Sequence, residues 1–140
     1  MERFKFIPLL GRILIGGPFV MSGLGKLAAY GATVGYIAAM GLPVPPLAFA
    51  LAVLTELGGG LLLLSGYRAR AVSLGMAVFC LVTAMVFHHN FADQNQMIHF
   101  LKNVMMAGGL LQITWFGAGA FSLDALTGRV AARVSALRAS

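Results

Sequence analysis

The sequence predicts an all-α protein, a transmembrane four-helix bundle with a short interfacial helix between helices 1 and 2. Three observations lead there. Of 140 residues, 59% are hydrophobic and only 10% charged, against roughly 25% charged in a soluble domain, so the chain cannot cover a water-facing surface. Four apolar stretches approach the ~20 residues that a helix needs to cross the hydrocarbon core, and short loops between them nearly use up the length. The basic residues flank these stretches. A single membrane domain over residues 1–140 follows, with spans at about 6–24, 47–64, 71–88 and 96–118 and a basic tail over 122–140.

Arg3 and Lys5 precede the first apolar run. That run exceeds the ~7–15-residue apolar region of a signal peptide, and further spans follow, so it reads as the first helix. Gly16-Gly17-Pro18 predicts a bend within it, because proline lacks the N–H and crowds the preceding turn. Arg12, Gly16, Phe19, Gly23 and Lys26 recur at alternating spacings of four and three, which is one helical face. Both charges therefore point inward, Arg12 near the starting side and Lys26 at the far end.

Residues 27–41 are too few, and too rich in alanine and glycine, to span. Gly41 and then Pro43 stop the helix, and Tyr30 and Tyr36 suit the headgroup layer. This segment is expected to be an interfacial or re-entrant helix over the outer mouth of the bundle. The second span carries Glu56 near its middle, followed by Gly58-Gly59-Gly60, whose missing side chains admit a neighbouring helix. Residues 65–70 form a tight basic loop. The third span ends at His88 and His89. A polar turn leads into the fourth, whose polar face is Gln96, His99, Lys102, Asn103 and Met106. Gly117-Ala118-Gly119 loosens its end, and Arg129, Arg133 and Arg138 mark the tail as a surface-lying helix.

With four spans, Arg3, Lys5, Arg68, Arg70, Arg129, Arg133 and Arg138 share one side and only Lys26 faces the other. The positive-inside rule then puts both termini in the cytoplasm of a multi-pass protein of the bacterial inner membrane. The net charge of +6 is explained by that orientation, so nucleic acid is excluded as a partner and the lipid bilayer is the partner expected first. Cys80 is the sole cysteine, which rules out an intrachain disulfide, a Cys-x-x-Cys pair and an iron–sulfur site within one chain. A redox role would need a bound cofactor, a partner or substrate chemistry; no intrinsic cofactor is expected.

Ionisable groups inside a span are costly and mark an interior or a water-filled cavity. Glu56 lies halfway along its helix, and Lys102 about 9 Å below the outer end of its own at 1.5 Å per residue. Glu56 and Lys102 are the expected catalytic pair, with Glu56 holding or relaying a proton. Lys26, His88, His99, Asn103 and Arg12 are the expected substrate-binding residues. The plainer reading of Glu56 and Lys102 is an interhelical ion pair that fixes packing alone. Three cations (Arg12, Lys26 and Lys102) against one buried carboxylate leave positive charge for an anionic or electron-rich ligand, such as a quinone, a phenolate or a small oxyanion. No metal site is expected: His88 and His89 point about 100° apart on a helix, and the methionines are scattered as gap-filling residues.

Several of these pieces, in order and spacing, resemble the DoxX family of small four-helix membrane proteins. They are Arg12-Ile13-Leu14-Ile15-Gly16, Gly23-Leu24-Gly25-Lys26-Leu27, Gly41-Leu42-Pro43, Glu56-Leu57-Gly58-Gly59-Gly60, Gly66-Tyr67-Arg68-Ala69-Arg70 and Phe87-His88. Asn95-Gln96 and Leu101-Lys102-Asn103 resemble the opening of the family's fourth helix. The resemblance covers residues 7–115. It implies a component of a redox or detoxification system, since DoxX-like proteins include a subunit of a thiosulfate:quinone oxidoreductase, a membrane partner in thiol and superoxide stress defence, and members linked to catechol and quinone resistance. The expected ligand is thus a quinone, phenolic or small sulfur species in the outer half of the bundle, handled with a soluble or membrane redox partner. Whether the chain is itself an enzyme stays open; if so, it is an oxidoreductase subunit acting with a partner. The alternatives are a non-enzymatic scaffold or assembly factor and, third, a small transporter or proton pathway. A homo-oligomer is left open.

Overall fold

The computed structural model describes residues 4–139, with side chains up to residue 137. Arg3, counted above with the basic side, lies outside the described residues, as does the side chain of Arg138. Helices account for about four-fifths of the described chain, and no strand occurs among the described residues. Helix α1 runs over Ile7–Ala28, with proline in its first turn, where a missing N–H costs nothing. It continues unbroken through Pro18. Helix α2 follows at once as Tyr30–Ala39. Helix α3, Pro45–Val53, again begins on proline and passes directly into a π-helical segment, Leu54–Gly59, and then into α4, Gly60–Ser65. Together these make one rod over Pro45–Ser65. Helix α5 is Ala69–Phe87, α6 is Gln94–Phe116 and α7 is Leu123–Ala139.

Among the described residues, three helical stretches are long and apolar enough to cross a membrane: Ile7–Ala28, Pro45–Ser65 and Ala69–Phe87. Helix α6, with 23 residues, is about 35 Å long at 1.5 Å per residue. It is not among the three, because Gln94, Asn95, Gln96, His99, Lys102, Asn103 and Gln112 dilute its apolar character.

The packing follows small residues. Helices α5 and α6 form the most extensive contact in the chain, and α1 lies along the π segment and α4. Phe19, Leu63, Met76, Ala77, Cys80, Ala107 and Leu110 make the core. Alanines and a cysteine at its centre let α5 and α6 approach closely, as helices without a water-driven force between them require. Ser73 turns its hydroxyl back to the Ala69 carbonyl at 2.6 Å and meets Thr114 Oγ1 at 3.0 Å, so the buried Ser73 hydroxyl is satisfied.

The face expected on α1 is the face it buries: Arg12, Gly16, Phe19 and Gly23 are all enclosed. Gly23 sits so close to the π segment that a Cβ there would stand 2.9 Å from both the backbone nitrogen and the Cβ of Leu57. No side chain fits at that crossing without moving a helix.

Arg12 closes the opposite end. Its guanidinium is 1% exposed and donates to the carbonyls of Leu63 (3.0 Å), Leu64 (2.8 Å) and Phe121. It therefore neutralises the C-terminal carbonyls of α4, which a helix end leaves without partners and partially negative. Gly66 completes that end in the left-handed region at φ 68°. Its N–H goes to Leu63 and that of Tyr67 to Leu62, each at 3.1 Å, the paired bonds of a Schellman turn. Asp124, in the first turn of α7, accepts from the backbone N–H groups of Arg68 (2.7 Å) and Ala69 (2.9 Å), and so caps α5 from across the chain. Two helix ends and the start of α7 are thus tied by one arginine and one aspartate.

Two measurements check this account. Gly23→Ala should lower stability in detergent by about 1–3 kcal/mol, the usual cost of forcing bulk into a packed contact, whereas Gly25→Ala, with nothing within 4 Å of its Cβ, should be neutral or slightly stabilising. Arg12→Met leaves three carbonyls without their charged donor and should cost at least ~3 kcal/mol at 1.5–3 kcal/mol per such bond; an unfolding curve unchanged from wild type would refute the latch.

Candidate functional site

The site is built where α1 ends and the π segment begins. Lys26 occupies the last turn of α1 and reaches Glu56 with its ammonium 2.8 Å from both carboxylate oxygens. Its third donor goes to Ser22 Oγ at 3.0 Å, so all three ammonium hydrogens have acceptors. The Glu56 side chain is 8% exposed and that of Lys26 28%. The pair is therefore sunk at the acid and wetter at the base.

Glu56 stands in the π-helical segment Leu54–Gly59. A π turn interrupts the regular register of an α-helix and occurs often at functional sites. Here it coincides with the buried carboxylate and with the glycines that follow it. The sequence carries only an indirect signal, a mid-span acid beside three glycines.

Two adjoining cavities open from the ion pair and share Lys26, Glu56, Phe79, Thr83 and His88. One, of about 290 Å³, is lined further by Pro18, Phe19, Ser22, Asn103 and Met106. The other, of about 320 Å³, is walled by apolar residues of α3 and α5 and covered by Thr33, Tyr36 and Ile37 of α2. Ligand pockets run from roughly 300 to 1,000 Å³, so each cavity suits a small molecule. The second is greasy except for its Lys26–Glu56 floor, Thr33, Thr83, Tyr36 and His88. At the mouth, His88 Nδ1 lies 3.0 Å from Gln96 Oε1, and its ring stacks on His99 with centroids 5.0 Å apart. Tyr36 stacks on Phe87 at 5.8 Å, which pins α2 over the end of α5.

The expected residues divide. Glu56, Lys26, His88 and Asn103 line the cavities. His99 is exposed and touches the site only through the His88 ring; its carbonyl also holds Asn103 Nδ2 at 3.0 Å. Two expectations need correction. Lys102 does not meet Glu56: it is exposed, lines neither cavity, and the partner of Glu56 is Lys26. The inward stripe of α6 is Gln96, Phe100, Asn103, Ala107, Leu110 and Thr114, at spacings of four and three. The anticipated face straddled that stripe and its neighbour. Lys102 stands about 100° from Asn103, and turning it inward would bury a second cation beside Glu56, which Lys26 already pairs.

Arg12 is not at this site, since its guanidinium is engaged at the other end of α1. The surplus of positive charge over Glu56 consequently disappears. One cation serves backbone carbonyls, one sits on the surface and one is matched by the carboxylate, so the cavity floor is neutral overall. Among the described residues, no group of three histidine, cysteine or acidic side chains comes together to hold a metal ion.

The DoxX family model matches residues 7–89, more than half of the chain. The chain belongs to the DoxX family. Among its relatives is the inner membrane protein YqjF of Escherichia coli (strain K12), 42% identical over 118 residues that cover 84% of this chain and 89% of that protein. Another is the inner membrane protein YphA of the same organism, 35% identical over 121 residues, 83% of this chain and 86% of that protein. No solved structure matches the chain. This DoxX protein is thus an inner-membrane-type protein by kinship and by its apolar helices. Lys26, Glu56 and His88 fall within the matched DoxX region, whereas α6 with Asn103 lies beyond it.

The ion pair can be tested by a double-mutant cycle. Glu56→Gln and Lys26→Met should each destabilise the protein, because each strands a charge in a poorly hydrated place. The double variant should recover part of the loss, with a coupling of about 0.5–3 kcal/mol. Additive losses in detergent unfolding would show that the two groups do not act as a pair.

Proposed function

We propose that this DoxX protein binds a small, neutral ring compound with polar oxygens, a quinone or phenol, in the cavities above Lys26 and Glu56, as a membrane component of a redox or detoxification system. The observation that carries this reading is an apolar cavity whose floor is a self-neutralised ion pair. An anion gains little from a cation that already has its counter-charge, whereas carbonyl or hydroxyl oxygens of a neutral ring can share the ammonium and carboxylate as donor and acceptor. The apolar walls take the ring. His88, with Nδ1 turned to Gln96, leaves its other ring nitrogen to hydrogen-bond the ligand. Asn103 adds an amide on the far wall.

In this reading α6 is the fourth span, α2 lies in the headgroup layer over the mouth, and both termini face the cytoplasm with Arg68, Arg70, Arg129 and Arg133. Lys26, Glu56, His88 and Asn103 bind the ligand, and Glu56 holds or relays the proton. Electrons for a quinone come from a partner protein, and the chain positions the substrate for it. Lys102 and Arg12 have no contact with the ligand.

A scaffold is the second reading, favoured by the saturation of Lys26: a fully bonded pair also serves as glue between α1 and the π segment. The two separate by experiment. Purified protein in nanodiscs should bind a short-chain ubiquinone or a catechol, measured by calorimetry, and Glu56→Gln and Lys26→Met should weaken binding at least tenfold, while Lys102→Met leaves it unchanged. Loss of stability without any change in binding would support the scaffold. A proton flux in proteoliposomes that Glu56→Gln abolishes would support a transporter instead.

A further inference from the structure

Helix α7 plays no part in the ligand site, and beyond its first turn little of it packs on the rest of the chain. Leu123, Leu126, Val130, Val134 and Leu137 recur at spacings of three and four, a stripe within about 80° of arc at 3.6 residues per turn. All five are between 42% and 77% exposed. A continuous apolar stripe of this kind marks a surface that something covers.

The charges around it say what. Arg133 stands about 60° and Arg129 about 100° from the middle of the stripe, at its margin and not opposite it. The acid of this helix, Asp124, has both oxygens committed to the N–H groups of Arg68 and Ala69. Arg129 turns back to the carbonyls of Ala125 (3.1 Å) and Ala120 (3.0 Å). Arg133 is exposed and has no hydrogen-bond or ion-pair partner among the described residues. Arg68 and Arg70 are exposed at the same end of the molecule, held there by the Asp124 cap.

We propose that α7 is a membrane-surface helix that lies on anionic phospholipid headgroups at the Arg68 and Arg70 end, with its stripe in the acyl boundary and Arg133 on a lipid phosphate. A marginal arginine suits that depth, because its stem runs along acyl chains while the guanidinium rises to the phosphates. The bilayer surface is also the partner within reach. The latch of Arg12 on the Phe121 carbonyl and of Asp124 on α5 starts α7 at the end of helices whose outer faces are themselves apolar and exposed. The proposal is independent of the ligand reading.

The test uses the full chain in nanodiscs of phosphatidylcholine alone or mixed with phosphatidylglycerol. Leu137→Cys takes an environment-sensitive fluorophore, and Cys80, fully buried, stays unlabelled. A nitroxide placed shallowly on the acyl chains should quench the label in the anionic discs and much less in the neutral ones. Arg133→Gln should lower the docked-to-free ratio about fivefold, the equivalent of ~1 kcal/mol per basic residue at an anionic surface, and Arg133→Lys should retain it. The proposal is overturned if the label stays unquenched in anionic discs, which would mean that a protein or a second copy covers the stripe. It is equally overturned if quenching is the same in both lipids and indifferent to Arg133→Gln.

Discussion

The structure depends on one crossing: a single face of α1 pressed against the π segment and α4. That face has to do two opposed things. In its middle it must bring two backbones into contact, which Gly23 achieves by having no side chain where Leu57 stands. At its ends it must hold two cations that hydrocarbon does not tolerate alone. Arg12 and Lys26 solve this differently. Arg12 is wholly enclosed and donates from its terminal nitrogens to carbonyls, two of them at a helix end, whereas Lys26 is partly exposed and meets a carboxylate.

The different solutions separate architecture from chemistry. An arginine on helix-terminal carbonyls has a planar fork, a permanent charge and no proton to exchange, so the Arg12 end is a joint. The Lys26–Glu56 pair instead lines two cavities, with a histidine at the rim. The joint also extends through Gly66 and Asp124 to the start of α7. The two ends of one helix thus differ in kind: one secures the chain and the other borders two cavities.

In the proposed reading, neutrality of the Lys26–Glu56 floor governs what the ligand can be. Counting charges along the chain suggested a cationic pocket, but placing them in space removes two of the three cations from it. What remains is a donor and an acceptor on a common floor beneath apolar walls, which favours molecules that bring both a ring and neutral oxygens. The DoxX relatives are inner membrane proteins by name.

Much of this was legible in the residues alone. The helices, the inward face of α1, the burial of Glu56 and the closeness of His88 and Asn103 to it follow from period, composition and the cost of charge in hydrocarbon, all of which act locally or along one helix. The choice of partner for Glu56 does not. Lys26 and Lys102 are equally lysines at helical positions, and only the rotation of α6 decides between them. That rotation is set by Ala107 and Leu110 packing against α5, a contact between helices that no single helix encodes. The π segment is likewise invisible in the period of α3 and α4, since three glycines permit it without requiring it. What the chain dictates by itself is which faces must be hidden; which hidden groups meet is decided by helix packing, because a turn of one residue moves a side chain by about 100° and exchanges one neighbour for another.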